Sequence, residues 1–527
     1  MTLPPTGPTA ADDLLLGLTK VVDIPGMDPG DIEAVLREAD RFCTDVLAPG
    51  CQEADREGTS YANGKVVVPA RYQATMKSWI EAGWQSLPAP PEHGGQGLPH
   101  AVWTAVMELA SAADMAFFLG PVLTAGAIDL LQQFGTADQK ARWLPKLVSG
   151  AWPGTMNLTE PQAGSDLGAI RTRAEPLGNG RYALHGQKIF ITWGEHELTE
   201  NILHLVLARL PDAPAGSRGI SLFAAPRVLP DGTRNALRCG GVERKLGIHA
   251  SPTCIMLFEG AEAELVGEPG RGLNAMFAMM NAARLAVGVQ GVGQAARALR
   301  LAESFAAQRM QGGRPIAAWP DVARMLTEMR AITLAGRLLA LEAAAALDRH
   351  HATGEEAAAT RLALLIPIVK AWCSDRGVDV ASLGIQVHGG MGFVEETGAA
   401  QVWRDARIAP IYEGTNGIQA IDLLVRKLGR DRGAAMRALL VEVAATPGMA
   451  AAAAELEGAT ATMLALDPDS AESAAAAYLD ACGWVLGGWM VARAAAAAPD
   501  RAPLWRFYQA RLLPRATARC LEIVGLA

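Results

Sequence analysis

Apolar residues recur along the chain with two different spacings, one typical of helices and one typical of strands. Apolar residues recur at every third or fourth position in DIEAVLREADRFC, RYQATMKSWIEAG, AVWTAVMELASAA and TADQKARWLPKLVSG, which lie within residues 31–150. This spacing predicts amphipathic helices, with Asp or Thr where helix caps belong. Between residues 156 and 268 the pattern changes to short runs in which, for example, Leu203, Leu205 and Leu207 alternate with their neighbours. Since no helix-length segment separates these runs, they predict antiparallel strands in a small sheet or barrel.

Helical spacing returns at Gly272 and continues through the rest of the chain. Four long helices are predicted, over residues 272–311, 320–352, 355–384 and 416–428, and they suggest a bundle. From residue 431 onward the chain is rich in Ala, which favours helix, with interruptions at Pro447, Pro468 and Pro499. The expected fold is mostly α with a central β domain. Its expected domains are a helical N-terminal domain (1–155), a β domain (156–268), a four-helix bundle (269–430) and a helical extension (431–527) that serves packing or subunit contact.

Composition narrows the functional classes. At 527 residues the chain exceeds the roughly 250–300 residues at which one hydrophobic core stops growing, so several domains are expected. The 47 basic and 55 acidic residues give a net charge of −8, without a run of Lys or Arg, which argues against nucleic acid as a partner. The pattern predicts no membrane span and no secretion signal. Seven scattered cysteines without a CxxC pair indicate reduced thiols, so a soluble cytoplasmic protein is expected.

One arginine conflicts with the pattern around it. In GLNAMFAMMNAARLAVGVQGVG, Met276 and Met280 mark the apolar face of a helix, and Arg284 falls on the same face. It is either a snorkelling or ion-paired structural residue, or a group that keeps a nearby carboxylate charged or in position. Gly288 and Gly291, one and two turns further on, would let another element approach closely.

Three loops combine small and polar residues. MNLTEPQAGSDLGA (156–169) and QVHGGMGF (386–393) offer N–H groups and hydroxyls that can bind a polar heterocycle or a diphosphate, although such loops are more often plain turns. His388 in the second loop is expected to be a packed histidine, and no metal site is predicted. In IYEGTNGIQA (411–420), Glu413 stands beside Tyr412 and before four small or polar residues. That setting suits a proton-abstracting carboxylate better than a solvated one.

These segments, taken in their order along the chain, resemble the motifs of a known protein family. They follow one another across an all-α, β, all-α layout as MNLTEPQAGSDLGA, GQKIFIT, RKLGIHAS, Arg284, QRMQGGR, QVHGGMGF and WRDARIAPIYEGTNGIQ. Over residues 30–430 the chain thereby resembles the acyl-CoA dehydrogenase family. The tail beyond residue 430 resembles the long members of that family, and HGGMGF with EETGAAQ is similar to the methylthiopropionyl-CoA dehydrogenases among them.

The resemblance implies a reaction and a catalytic base. Members of the family bind FAD and oxidise an acyl-CoA thioester to its trans-2-enoyl form, and Glu413 matches the base that takes the α-proton while a hydride leaves the β-carbon for the flavin N5. The implied substrate is 3-methylthiopropionyl-CoA or another short or medium acyl-CoA. Its thioester carbonyl would accept hydrogen bonds from the flavin ribityl hydroxyl and from the backbone N–H of Glu413. Electron-transferring flavoprotein is the implied electron acceptor.

The same resemblance implies binding residues and an oligomer. The expected substrate-binding residues are Ser165, Asn281, Arg284, Tyr412 and Gly414. The expected cofactor-binding residues are Met156, Leu158, Thr159, Gly164, Ser165, Phe190, Ile191, Thr192, Arg309, Gln311, Gln386, Gly389, Gly390, Thr415 and Asn416. Arg309 matches an arginine that reaches the diphosphate of FAD in a neighbouring subunit, which implies a homodimer or homotetramer.

Three positions depart from the family pattern. Phe190 stands where Trp is usual, so that stacking is kept and the indole N–H is lost. Asn281 stands where many members have Asp, and QGGRPIAAW lacks the aromatic residue that usually follows the diphosphate-binding arginine. The last two changes concern affinity for CoA and FAD rather than the reaction. Two alternatives stay open: an acyl-CoA oxidase, which shares these motifs, and a non-catalytic relative that binds DNA or a protein.

Overall fold

The described chain, residues 8–525 of a computed structural model, forms two compact units. The first unit comprises residues 8–45, Pro99–Ala113 and 284–525, and the second unit comprises Val46–Leu98 and Asp114–Ala283. Residues of the bundle and of the extension therefore belong to one compact unit. The boundaries of the four expected domains stay a prediction.

Helices make up most of the described residues, as the apolar spacing predicted. They are α1 (Ala10–Leu16), α2 (Pro29–Phe42), α3 (Cys51–Glu57), α4 (Tyr72–Glu81), α5 (His100–Phe134), α6 (Ala137–Val148), α7 (Gly272–Gln308), α8 (Pro320–Thr353), α9 (Glu356–Ile368), α10 (Ser374–His388), α11 (Ala399–Ala406), α12 (Asn416–Ile421), α13 (Gly429–Asp431), α14 (Ala434–Ala445), α15 (Ala450–Ala465), α16 (Pro468–Ala497), α17 (Ala502–Arg511) and α18 (Pro514–Val524). The π-helix Val369–Cys373 joins α9 to α10, and the π-helix Asp422–Leu428 extends α12. The short helix α11 was not predicted.

The strands form one large sheet and two hairpins. They are β1 (Ser60–Ala62), β2 (Lys65–Val67), β3 (Gly154–Asn157), β4 (Arg173–Gly178), β5 (Arg181–Thr192), β6 (Leu203–Arg209), β7 (Ile220–Pro226), β8 (Leu237–Val242), β9 (Thr253–Val266), β10 (Met310–Gln311) and β11 (Arg314–Pro315). The β1–β2 hairpin lies between two predicted helices of the helical N-terminal domain, at a place where no strand was predicted. Its strands are three residues long, too short to show a period of two.

The central sheet is mixed, which corrects the expectation of purely antiparallel strands. Its order is β3-β6-β4-β5-β9-β7, β8 pairs with β9, and β6 also pairs with β7. The pairs β3–β6 and β4–β6 are parallel. The segment between β3 and β6 contains the whole β4–β5 pair, so it is long enough for the crossover that parallel strands require. The ring of pairings closes through one residue pair, Arg173 with Arg209, so "barrel" describes the sheet only loosely.

Strand β6 shows how the sheet is buried. Leu203, Leu205 and Leu207 belong to one hydrophobic cluster, whereas Val206 and Ala208 belong to a second cluster. Successive side chains of a strand point to opposite faces, so both faces of β6 are covered by apolar residues. The predicted alternation thus separates two cores rather than a core from solvent.

In the first unit, glycines let α7 contact a neighbouring backbone. A Cβ atom added to Gly288 would lie 2.7 Å from the carbonyl oxygen of Val369, and one added to Gly291 would lie 2.4 Å from that of Cys373. Real Cβ atoms essentially never show contacts this short. The predicted close approach at these two glycines is confirmed, and the π-helix Val369–Cys373 is the element that approaches.

A buried ionic cluster joins three parts of the first unit. Arg337 of α8 is 3% exposed and donates to Glu108 of α5 at 2.9 Å and to Asp13 of α1 at 2.9 Å. Arg501, next to α17 in the extension, donates to the same Asp13 at 3.0 Å. Removing one member of such a cluster leaves a buried charge unpaired, so the N-terminal helix, the bundle and the extension depend on one another.

Within residues 8–525, four helical segments are long and apolar enough, by length and composition alone, to cross a membrane. They are His100–Phe134, Gly272–Gln308, Glu356–Phe393 and Pro468–Ala497. The most apolar part of each is 94%, 72%, 67% and 89% buried inside the protein, which accounts for its hydropathy. The expectation that the chain does not span a membrane stays a prediction.

Substituting Gly291 by Ala tests the close contact in the first unit. The added methyl group forces the backbones of α7 and residue 373 apart, so the free energy of unfolding should fall by about 1–3 kcal/mol. Gly458→Ala is the matched control, because Gly458 lies inside the exposed face of α15 with open space around it. That change should raise stability by roughly 0.5–1 kcal/mol. Chemical denaturation measures both, and equal shifts of the same sign would contradict the contact.

Candidate active site

Glu413 lies in a turn of unusual backbone conformation between α11 and α12. Its φ is +58°, and that of Gly414 is +85°. A non-glycine residue in the left-handed region costs on the order of 1–3 kcal/mol and persists only where neighbours enforce it. Here the N–H of Asn416 donates to the carbonyl of Pro410 at 3.0 Å, and the buried amide of Gln419 donates to the carbonyls of Glu413 and Gly414. The turn is therefore fixed from both ends.

Arg284 lies beside this turn. It is 5% exposed, and its Nη2 atom is 3.9 Å from the position that a Cβ atom on Gly414 would take. Its Nη1 atom is 3.8 Å from the Oδ2 atom of Asp422, a buried carboxylate in the π-helix that follows α12. Arg284 therefore agrees both with the structural interpretation and with the functional interpretation given in the sequence analysis. It has an ionic partner, and it brings a positive charge to the turn of Glu413.

The surroundings of Glu413 raise its pKa to about 7. Burial is the largest cause, and the charges of Arg284 and Lys370 oppose it without cancelling it. The neighbouring Tyr412 donates its hydroxyl hydrogen to the Oε1 atom of Gln290, and burial and the charge of Glu413 raise the pKa of Tyr412 well above its usual value. Tyr412 therefore stays protonated, while Glu413 can exchange a proton near neutral pH.

Lys370 is a residue of this region that the sequence analysis missed. Its side chain is fully buried, its Nζ atom donates to the Oδ1 atom of Asn416 at 2.8 Å, and burial lowers its pKa to about 7. A lone lysine within the apolar run IPIVKAWC was the available signal, because lysines are almost never fully buried without a partner. The amide of Asn416, expected to contact the cofactor, is engaged inside the first unit. Its cofactor role stays a prediction.

In the second unit, the loop after β3 is held by a buried ion pair that was also missed. Lys188 is fully buried, and its Nζ atom lies 2.8 Å from Glu160 and 2.8 Å from the carbonyl oxygen of Leu158. Glu160 also accepts hydrogen bonds from the backbone N–H groups of Arg171 and Thr172. Burial disfavours the charge of Glu160, but Lys188 and these donors outweigh it and lower its pKa to about 2. Lys188 stands four residues after the buried Leu184 on β5, and that spacing could have identified it.

The predicted cofactor residues of the second unit lie on β3, on the loop after it and on β5. Phe190 has a φ of +60° and is 58% exposed, where the register of β5 with β9 shifts. A bulky residue in that conformation is an outlier, and such bulges occur next to active sites. The side chain of Ile191 lies in a hydrophobic core, so only its backbone is left for a cofactor contact. Ser165 and Gly164 are exposed on the loop, Thr159 binds β5 through its carbonyl, and Met156 and Thr192 are partly buried.

The remaining predicted residues lie on other surfaces. In the first unit these are Arg309 and Gln311 at the β10–β11 hairpin, Gln386, Gly389 and Gly390 at the end of α10, and Thr415, which caps α12; all six are exposed. The ring of Trp319, the last residue of QGGRPIAAW, lies 2.8 Å from where a Cβ atom on Gly312 would stand, so it packs against the β10–β11 hairpin. His388 stacks on Phe305 and is bonded to the carbonyl of Gly384, as expected of a packed histidine. Asn281, in the second unit, is exposed.

The metal-binding side chains and the cysteines of residues 8–525 complete the description of the two units. That part of the chain holds no group of three or more His, Cys, Asp or Glu side chains that could bind a metal ion. All seven cysteines lie within it, and each is buried and outside any disulfide bond.

Family models match the chain in three consecutive segments. They describe the acyl-CoA dehydrogenase N-terminal domain at residues 30–151, the middle domain at residues 155–261 and the C-terminal domain at residues 270–428. The chain belongs to the acyl-CoA dehydrogenase family. Members of this family are FAD-dependent oxidoreductases.

Curated relatives from bacteria match most of this acyl-CoA dehydrogenase. It is 47% identical to the 3-methylmercaptopropionyl-CoA dehydrogenase of Ruegeria pomeroyi over 504 residues, which covers 89% of this chain and 86% of the relative. It is 34% identical to a butyryl-CoA dehydrogenase of Syntrophomonas wolfei, covering 82% and 75%. The broad-specificity linear acyl-CoA dehydrogenase FadE5 of Mycobacterium tuberculosis is 32% identical, covering 80% and 74%.

Solved structures show how far the shared fold extends. Caenorhabditis elegans ACDH-11, in complex with C11-CoA, has a TM-score of 0.83 at 23% identity and covers 97% of this chain and 93% of its own. An acyl-CoA dehydrogenase of Bacillus anthracis, complexed with FAD, has a TM-score of 0.79 at 22% identity and covers 98% and 92%. The extension beyond residue 430 is therefore part of the fold that these long members share.

In each unit taken by itself, exposed predicted residues suit a flat, charged cofactor such as FAD. In the second unit Phe190 offers an aromatic face, and in the first unit Arg309 offers an exposed guanidinium, which suits a diphosphate. A Cβ atom on Gly164, Gly389 or Gly390 would meet nothing within 4 Å, so a ligand can approach the backbone there.

Replacing Lys188 by Met tests the ion pair that supports the loop after β3. The change leaves Glu160 buried without its cation, so the free energy of unfolding should fall by about 3–5 kcal/mol. Lys146→Met is the matched control, since Lys146 is exposed in the same unit and its loss should change stability by less than about 0.5 kcal/mol. Chemical denaturation at pH 7 measures both. Equal stability of the two variants would rule out the structural role of the pair.

Proposed function

We propose that this enzyme is an FAD-dependent acyl-CoA dehydrogenase that converts 3-methylthiopropionyl-CoA, or another short or medium acyl-CoA, into the trans-2-enoyl-CoA. The observation that carries the proposal is the state of Glu413, a carboxylate in an enforced left-handed turn with a pKa of about 7. The 47% identity to a 3-methylmercaptopropionyl-CoA dehydrogenase supports the choice of substrate.

Glu413 acts as the general base that takes the α-proton of the thioester. A base works best when its pKa lies near the working pH, because it is then both ionised in part and basic enough to accept the proton. Arg284 and Lys370 keep a share of the carboxylate ionised at neutral pH, and burial keeps it basic. FAD, when bound, accepts the hydride that leaves the β-carbon.

The binding residues belong to the same proposal. Ser165, Asn281, Arg284, Tyr412 and Gly414 contact the acyl-CoA. The residues that contact FAD are Met156, Leu158, Thr159, Gly164, Ser165, Phe190, Ile191, Thr192, Arg309, Gln311, Gln386, Gly389, Gly390, Thr415 and Asn416. Ile191 contributes through its backbone. The exposed guanidinium of Arg309 and the open glycines at positions 389 and 390 support this assignment.

The partners and the location are part of the proposal as well. Electrons leave the reduced enzyme for an electron-transferring flavoprotein, and the enzyme is a homodimer or homotetramer that shares FAD sites between subunits. The exposed position of Arg309 supports a shared site. The seven cysteines, which form no disulfide bond within residues 8–525, support a reducing compartment such as the cytoplasm.

Substituting Glu413 by Gln tests the base. The amide cannot take up the α-proton, so turnover should fall by about 10²–10⁴-fold, while FAD content and acyl-CoA binding are kept. Glu396→Gln is the control, because Glu396 is an exposed carboxylate in the same unit. The assay uses an artificial electron acceptor with acyl-CoAs graded in chain length, branching and thioether content. Turnover by Glu413→Gln at the rate of Glu396→Gln would refute the role of Glu413.

The pH dependence of kcat/KM gives an independent test. The raised pKa means that Glu413 holds its proton at pH values where an ordinary carboxylate has lost it. The value of kcat/KM should therefore rise as the pH increases through about 7 and level off above it. Steady-state rates measured between about pH 5.5 and 9 show this limb. A profile that is flat above about pH 5.5 would instead indicate a base with an unshifted pKa.

A further inference from the structure

Lys370 is a buried lysine that has no direct role in the proposed reaction, and burial lowers its pKa to about 7. It lies in the π-helix Val369–Cys373, whose backbone contacts α7 at Gly288 and Gly291. That contact turns the lysine into the interior of the first unit, where its side chain is fully shielded from solvent. Burying an ammonium group is costly unless it is paired and hydrogen-bonded, so the position calls for a physical reason.

The hydrogen bonds of Lys370 lead to the turn that carries Glu413. Its Nζ atom donates to the Oδ1 atom of Asn416 at 2.8 Å. The amide nitrogen of Asn416 donates to Asp375 at 2.8 Å and to the carbonyl of Ala371 at 3.1 Å. The side chain of Asn416 is thus held between two charged groups, one at its oxygen and one at its nitrogen.

Asn416 links these hydrogen bonds to Glu413 through the backbone of the turn. It is the first residue of α12 and stands three residues after Glu413. Its backbone N–H donates to the carbonyl of Pro410 at 3.0 Å, which closes the loop that contains Glu413. Since a left-handed conformation at a glutamate persists only where the surroundings enforce it, a group that fixes Asn416 also fixes the direction of the Glu413 side chain.

We infer that Lys370 is a positioning residue for the catalytic base, which it serves by holding Asn416 and by placing one positive charge near Glu413. The inference rests on the proposed role of Glu413. Lys370 itself touches neither substrate nor reacting atoms in this scheme, so it acts through the turn and through its charge.

The charges around Glu413 fix the sign of the expected effect. The charged and titratable groups that face the base or Lys370 are Tyr412 on the turn, Arg284 on α7, Asp375 on α10, and Asp422 and Arg426 on the π-helix after α12. The charges of Lys370 and Arg284 lower the pKa of Glu413, against the larger effect of burial. Burial lowers the pKa of Lys370 itself to about 7, so its charge acts on Glu413 mainly below that pH. Removing this charge raises the pKa of Glu413.

Lys370→Met tests the inference in the FAD-loaded enzyme. A misplaced base costs on the order of 10²-fold, so kcat should fall by about 10–100-fold, while KM and FAD content stay near their original values. In addition, the rising limb of kcat/KM should move to higher pH. Lys370→Arg, which restores the charge, should return that limb towards its original position. Lys427→Met is the matched control, because Lys427 is a partly buried lysine of the same unit whose charge acts on Asp422 rather than on Glu413.

Each outcome bears on the inference. A folded Lys370→Met enzyme with unchanged kcat and an unchanged limb would overturn it. Loss of FAD from that variant would also overturn it, since the lysine would then serve the cofactor site. If Lys370→Met does not fold, Asn416→Ala decides, because it removes the acceptor while leaving the lysine in place. A fall in kcat of about tenfold with FAD retained supports the inference, and an unchanged kcat refutes it.

The two roles can be separated. Normal turnover by Glu413→Gln would refute the base and the role of Lys370 with it. An inactive Glu413→Gln together with a normal Lys370→Met would refute only the positioning role.

Discussion

The ionisation of Glu413 depends on a balance between burial and two nearby cations. Burial favours the protonated acid, whereas Arg284 and Lys370 favour the carboxylate, and the result is a pKa of about 7. Both cations are themselves buried, so neither can turn away into solvent. The close contact of α7 with the π-helix Val369–Cys373 fixes Lys370, and α7 itself carries Arg284. The chemistry of the base is therefore set by packing in the first unit.

The second unit uses a buried carboxylate for the opposite purpose. Glu160 accepts hydrogen bonds from Lys188, from the hydroxyl of Thr172 and from backbone N–H groups, and these lower its pKa to about 2. Glu160 therefore stays ionised throughout the physiological range and serves to hold a loop. Glu413 has cations nearby, yet their combined effect does not outweigh its burial. Two glutamates of one chain thus become a structural anion and a base through the number and closeness of their donors.

The helical extension is also held by buried ion pairs. Arg501 shares Asp13 with Arg337, which in turn pairs with Glu108, so residues far apart in the chain form one buried ionic cluster. Charged groups that depend on one another in this way cannot be lost singly without leaving an unpaired charge. The folds of Caenorhabditis elegans ACDH-11 and of the Bacillus anthracis enzyme match this chain over nearly its full length. The extension is thus an integral part of the first unit.

The sequence by itself determined the helical regions, the central β region, the family and the candidate base, because hydrophobic periods and ordered motifs are local properties of the chain. It did not show that β3 and β4 pair in parallel with β6, since pairing direction depends on contacts between distant segments. It also missed Lys188 and Lys370, whose importance lies in burial and in partners 28 and 46 residues away. Only the tertiary structure could bring those partners together, and with them the charges that make one glutamate a base.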